Sequence, residues 1–306
     1  MTTAVSPPVT VPGAATKPSK KRGVGENAGS ANWAVKLFLL IVCLLWFIPV
    51  LGLLITSLRD PSAANATGWW TVLKSPLDAT QWTIANYSEV ATQNGMGRAF
   101  VNSLIVTLPA TIIPIMIAAF AAYSFTFMEF KGRDVLFIVI VSLLVVPNQV
   151  ALVPLLKLYG TLGLNGTFAA VWLAHIGFGM PLAIYILRNY MATLPRSLIE
   201  SAKMDGASHF KTFWLLIVPL SVPALASFAI FQFLWVWNDL LVALLFIGPG
   251  DNAPMTVQMA GLLGAQGQGW HLITAGGFLT MVLPLVVFLS LQRFFVSGMT
   301  SGAVKG

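Results

Sequence analysis

The stretch "RSLIESAKMDGASHFK", residues 196–211, gathers Arg196, Glu200, Lys203, Asp205, His209 and Lys211 in a chain that is only 9% charged. Arg196 and Glu200 are four apart and Glu200 and Lys203 three apart, so both pairs share one helix face. Pro195 suits a helix's first turn, and Ser197 followed by Glu200 has the spacing of a capping box. Leu198 and Ala202 add a narrow apolar stripe. Gly206 permits the left-handed conformation that stops a helix, and Ala207–Ser208 can open another. The spacing predicts a short helix, a sharp turn at Gly206 and a second helix. Such a charged turn is suited to gripping another protein, or to lying in solvent as an amphipathic loop.

Few other residues invite chemistry. "VVPNQVALVP" sets Asn148 and Gln149 between prolines seven apart, which predicts either a packing kink or an opening that lines a cavity. His175 has no other His or Cys at metal-ligand spacing, so it is expected to be a hydrogen-bonded packing residue. Asp239, in "FLWVWNDLL", lies well inside an apolar run near one end of it. Two readings stand for it, a functional ionisable group and an interfacial cap. The sequence contains no Walker A motif, nucleotide-binding glycine fingerprint, metal-ligand cluster or nucleophile motif. No enzyme activity and no cofactor are expected on this chain. The single Cys43 rules out a disulfide framework.

The elements that position these residues follow from where charge is missing. Mean hydropathy is +0.82 and 57% of residues are hydrophobic, too apolar for a soluble globule. Uncharged runs of 22, 30, 22, 30, 27 and 41 residues follow Lys36, Arg98, Asp134, Lys157, Lys211 and Asp251. A helix needs about 20 apolar residues to cross a bilayer, and a lone helix satisfies its own backbone in lipid. The expected fold is therefore an all-α integral membrane protein with six spans. They lie at about 33–58, 99–127, 135–156, 168–187, 213–247 and 272–291.

Thirteen of the 17 basic residues fall on the side that holds both termini, which predicts cytoplasmic N and C termini. The net charge of +7 is then topological, and no nucleic-acid partner is expected. "LIVC" at 40–43 is a poor lipoprotein box because Val42 is too large, and the first apolar run is too long and too late for a cleaved signal peptide. Residues 1–32 are expected to form a disordered cytoplasmic tail, with residues 33–306 as the membrane domain. External loops are expected at about 59–98 and 248–270. Trp69, Trp70, Trp82 and Tyr87 in the first form either an interfacial aromatic belt or a docking surface.

The 193–212 stretch resembles the "EAA" loop of binding-protein-dependent ABC import permeases. The matching residues are Glu200, Ser201, Ala202, Gly206 and Val218–Pro219, followed by Pro223. Ser201 departs from the usual Ala but is equally small, and Asp205–Gly206–Ala207 matches the sugar-permease spelling. "EFKGRD", "VVPNQVALVPL", "LGLNGT", "WND" and "GMTSGAVKG" extend the resemblance to the maltose-type, second-permease branch of the carbohydrate uptake family, over roughly 33–306. The resemblance implies a multi-pass permease of the cell's inner (plasma) membrane. Its implied partners are a homologous second permease, two ATP-binding subunits that consume the ATP, and an extracellular sugar-binding protein. It places Glu200, Ser201, Ala202, Asp205, Gly206 and Ala207 in the ATPase-coupling loop. Candidate translocation-path residues are Asn148, Gln149, Trp237, Asn238 and Asp239. Candidate binding-protein contacts are Gly264, Gln266, Gln268 and Trp270. The substrate is expected to be a carbohydrate, an oligosaccharide of α-glucoside or maltose type by the spelling of the C-terminal third. The rival class is a secondary transporter for a small polar solute, disfavoured because no internal repeat and only one intramembrane acid are visible.

Overall fold

A computed structural model describes residues 33–262 and 269–301, with side chains up to Gln292. The chain divides into two compact units, residues 1–50 and 51–306. The expected tail, residues 1–32, lies outside the described residues. The described part of the first unit is the leading portion of α1 (Trp33–Ser57), an apolar helix whose side chains there are almost all exposed. That surface suits lipid rather than water.

The second unit holds α2 (Pro61–Ala66), α3 (Ala85–Ser88), α4 (Met96–Phe127), α5 (Arg133–Ser142), α6 (Asn148–Thr161) and α7 (Phe168–Met191). It continues with α8 (Arg196–Met204), α9 (His209–Thr212), α10 (Val218–Trp237), α11 (Leu241–Phe246), α12 (Met255–Ala260) and α13 (Trp270–Ser301). No β-strand occurs among the described residues. Helix α4 packs along α7 and across α10, and α13 lies on α10. Lipid tails are as apolar as Leu, so helices in a membrane associate through close packing of small residues. The α4–α7 seam follows that rule, with Ala110, Ala118, Ala122, Ala170, Ala174 and Ala183 fully or almost fully buried.

Among the described residues, five helices are long and apolar enough to cross a membrane, and a bent pair makes a sixth span if counted as one. That pair corrects the expected continuous third span at 135–156. Helix α5 ends at Ser142, Val146 is extended with ψ 121°, and α6 leaves at 97° to α5. Pro147 causes the break, because its ring pushes the preceding residue out of helical conformation and removes an amide donor. The expected fifth span, 213–247, is also broken: α10 stops at Trp237 and α11 restarts at Leu241. The expected last span is longer than its apolar core, because the helix runs on through Ser301.

Residues 59–95 form a cap held by its own hydrogen bonds. Arg59 is 3% exposed and donates to the carbonyls of Thr67 and Gly68 and to the Thr67 and Thr71 hydroxyls, at 2.7–3.2 Å. Asn86 Nδ2 donates to the carbonyls of Ser57 and Arg59 at 2.9 and 2.8 Å. The Trp69 ring lies against Gly52, where a Cβ would come within 2.6 Å of the indole nitrogen.

Candidate coupling turn and transport cavity

Helix α8 begins directly after Pro195, whose ψ of 127° sets the chain direction without a side-chain cap. The expected Ser197–Glu200 capping box therefore does not form. Ser197 is already inside the helix, and proline's fixed φ replaces the cap as the start signal. Ile199 is 5% exposed and seats α8 among Met191, Phe213 and Ile217. The other end is locked as expected. Gly206 has φ +76°, its amide donates to Lys203 O at 3.0 Å, and the Ala207 amide reaches Ala202 O at 2.9 Å. Those two bonds make a Schellman motif, which satisfies carbonyls the helix end would otherwise leave open. Ser208 Oγ then accepts the Lys211 amide at 3.3 Å and opens α9. The Tyr123 hydroxyl meets His209 Nδ1 at 2.9 Å, which pins α9 to α4.

The backbone of this turn is thus fixed, but its side chains are unspent. Glu200, Ser201, Lys203, Asp205 and Gly206 are exposed, with Ala202 and Ala207 half-buried. None of Arg196, Glu200, Lys203 and Asp205 is in an ion pair among the described residues. Met204 and Phe210 stand 89% and 68% exposed, and no atom lies within 4 Å of where a Gly206 Cβ would be.

The α5–α6 break opens a cavity of about 550 Å³ bounded also by α7 and α10. Asn148 and Gln149 line it, together with Gln232, Trp235, Phe178 and otherwise apolar residues, and no charged side chain lines it. Of the two readings of the paired prolines, the cavity-lining one describes this break. Gln232 is the functional candidate that sequence reading passed over. An amide inside the apolar run "FAIFQFLW" was the available signal. It is fully buried, and its Nε2 donates to Ala110 O at 3.1 Å and His175 O at 3.4 Å. Gly179 makes room for it, since a Cβ there would lie 2.7 Å from the amide.

The "WND" residues separate. Trp237 is core: 2% exposed, stacked on Phe233, with its indole donating to Thr280 O at 3.0 Å. Asn238 is exposed and bonds back to Leu234 O at 2.7 Å. Asp239 accepts the Val242 and Ala243 amides at 3.4 and 3.0 Å and so caps α11. None of the three lines the large cavity. His175 is fully buried as a packing residue, but its ring nitrogens have no hydrogen-bond partner. No group of three metal-ligating side chains occurs among the described residues. Gly264, Gln266 and Gln268 lie outside the described residues. Trp270 starts α13 with its amide on Asn65 Oδ1 at 3.4 Å.

The second unit thus combines packed membrane-length helices with two broken ones, a side cavity and a locked charged turn. Residues 110–301 match the family described as "Binding-protein-dependent transport system inner membrane component". The chain is 56% identical to an osmoprotective compounds uptake permease protein of Synechocystis sp., over 89% of this chain and 91% of that one. It is 42% identical to an alpha-glucoside transport system permease protein of Rhizobium meliloti, over 90% of this chain and 97% of that one. The fold is shared with a solved bacterial ABC transporter involved in alginate import, at a TM-score of 0.73 and 18% identity, covering 86% of this chain and 95% of that one. The chain belongs to the binding-protein-dependent permease family and is a multi-pass inner-membrane component.

Proposed function

We propose that this chain is one of two permease subunits of an ATP-driven importer, with α-glucosides as substrates. The observation that carries the coupling half of this reading is the α8–Gly206–α9 turn. Its backbone is locked at both ends, while Arg196, Glu200, Lys203 and Asp205 are in no ion pair among the described residues and Met204 and Phe210 stay exposed. A rigid element with free side chains can transmit the motion of a soluble subunit, which a mobile loop cannot. Glu200, Ser201, Ala202, Asp205, Gly206 and Ala207 then contact the ATPase, with both termini on the same cytoplasmic side. ATP is consumed by the partner subunits, so this chain needs no cofactor.

The substrate half rests on the cavity and on the relatives. Asn148 and Gln149 offer amide donors and acceptors in an otherwise apolar, uncharged wall, which suits a neutral polyol such as a sugar. Asn238, Asp239 and Trp237 then support the path from behind the wall. A relative at 42% identity is named for alpha-glucoside transport, and a fold neighbour was solved with a pentasaccharide-bound periplasmic protein. On this reading an external sugar-binding protein contacts Gly264, Gln266, Gln268 and Trp270. The relative at 56% identity favours a second substrate, an osmoprotective compound.

The test is co-purification of the ATPase subunits with Gly206→Leu and Glu200→Lys, alongside uptake of a labelled α-glucoside in competition with osmoprotective solutes. Both variants are expected in the membrane at near-normal levels, because a left-handed residue with a Cβ costs only about 1–2 kcal/mol and Glu200 is an exposed helical residue. Both are expected to lose the ATPase and at least 90% of uptake. In a Cys43→Ser background, Ser208→Cys is expected to resist an impermeant thiol reagent in intact cells. Wild-type ATPase retention with normal uptake would end the coupling reading. Rapid labelling of Ser208→Cys would invert the topology.

A further inference from the structure

His175, in the first half of α7, is fully buried, and neither ring nitrogen has a hydrogen-bond partner. Leaving such a group unpaired costs about 1–3 kcal/mol, so packing alone does not account for an imidazole here. Its Nε2 lies 3.6 Å from Oδ2 of Asp239. That same carboxylate caps α11 through Val242 and Ala243. The backbone carbonyl of Asp239 accepts the Thr256 hydroxyl of α12 at 2.7 Å. The next link runs from the Met255 amide to Ser103 Oγ on α4, at 2.8 Å. On its other side the His175 ring meets Trp235 edge-on at 5.2 Å, and its carbonyl accepts Gln232. Trp235 and Gln232 both line the large cavity. One imidazole therefore stands between the helix break that carries α12 and the wall of the cavity.

We propose that His175 is a positioning residue for transport: through Asp239 it fixes the α10–α11 break and ties α12 to the cavity wall. N–H···O bonds usually measure about 2.7–3.2 Å, so a shift of about half an ångström at the break brings the contact into that range. The opposite shift leaves the carboxylate wholly to the α11 amides. His175 and Asp239 are the ionisable residues around the small gap between them, whose other polar lining comes from Ser103, Thr107 and Thr256. No third charge competes there for either partner. The inference rests on the importer reading, but its first readout does not require the substrate to be known.

That readout is the rate at which a small maleimide labels Gln149→Cys, on the cavity wall, in the assembled complex with Cys43→Ser. The second is uptake of the labelled α-glucoside by variants that keep Gln149. With membrane levels within twofold of wild type, His175→Leu is expected to change the labelling rate at least fivefold. It is expected to lower maximal uptake at least fivefold and to leave the half-saturating concentration within twofold. His175→Gln, which restores an amide nitrogen near the Nε2 position, is expected to return both readouts to within twofold. Asp239→Asn keeps a capping side chain, and combining it with His175→Leu is expected to be no worse than the worse single variant.

Unchanged labelling in His175→Leu, a Gln variant as impaired as the Leu one, or effects that multiply in the double variant would each overturn the proposal. If His175→Leu fails to reach the membrane, the comparison of His175→Gln with Asp239→Asn decides. Similar labelling rates in those two would then overturn it. Absence of uptake in the wild type would instead count against the α-glucoside assignment, with the labelling result still deciding the role of His175.

Discussion

At its Met96 end, α4 meets a cap whose polar side chains bond to the protein's own backbone. At its Phe127 end it meets the α8–α9 turn, whose charges are in no ion pair among the described residues. In the cap, Arg59 holds the carbonyls of Thr67 and Gly68, and Asn86 those of Ser57 and Arg59. Beside it, Asn102 Nδ2 holds the carbonyls of Asp251 and Ala253, Gln258 Nε2 holds Asn94 O, and Arg98 pairs with Asp251. In the turn, side-chain bonding is confined to Ser208 capping α9 and His209 meeting Tyr123. A surface that spends its polar groups internally fixes its own shape. One that withholds them behind a rigid backbone has them free for a partner. On the importer reading, the contrast gives stability to one end and recognition to the other.

The largest expected effect tests that division directly. Asn86→Leu leaves the carbonyls of Ser57 and Arg59 without their buried donor, at about 1–3 kcal/mol for each group left unpaired. The detergent-solubilised protein is expected to melt several degrees lower. Met204→Ser removes an exposed side chain and is expected to stay within about 0.5 kcal/mol of wild type. Its ATPase retention should nevertheless fall. Equal melting points for the two variants would erase the contrast, and so would a Met204→Ser protein that holds the ATPase as tightly as wild type.

A smaller effect is expected between α12 and α13. Removing residues 264–269 should lower uptake from a sugar-loaded binding protein several-fold. Co-purification of the ATPase should be unchanged, because the proposed coupling turn packs against the Phe127 end of α4. Normal uptake after the deletion would reduce that loop to a connection. Loss of the ATPase would mean that the two ends are not separable.

How much of this was legible in the sequence follows the same division. Gly206, the two short helices and the exposed charges could be read from spacing, because a Schellman end and a Ser N-cap are local devices. The six apolar spans were legible for the same reason, as lipid imposes one rule along the whole length. The breaks at Pro147 and at Asn238–Leu240 were less so. Proline in a membrane helix signals either a kink or a break, and the neighbours that re-satisfy its carbonyls are distant in sequence. Gln232 and Arg59 were missed because their partners lie on other elements. Gln232 reaches Ala110 and His175. Arg59, read as a marker of topology, instead organises the fold around Thr67 and Thr71.

The smallest effect concerns the edge of the cap, at Asp60. The hydroxyl and backbone amide of Ser62 donate to its carboxylate, and these bonds hold it below the ordinary Asp value. A carboxylate depressed in the folded state stabilises that state above its unfolded value of about 3.9. The contribution is lost as pH falls through the lower, folded value. Asp60 caps α2 through the amides of Ser62 and Ala63, so the loss should appear as fraying of α2 and nowhere else. Hydrogen exchange in a peptide covering 60–67, corrected for the intrinsic pH dependence, is expected to quicken below about pH 4 in the wild type. In Asp60→Ala the exchange should already be fast and independent of pH, since no carboxylate remains to titrate. The α8–α9 turn supplies the internal control. Gly206 and Ser208 close it without any carboxylate, so its protection should not move over the same interval. Parallel fraying of both segments would show that acid loosens the whole protein and that Asp60 carries no local share.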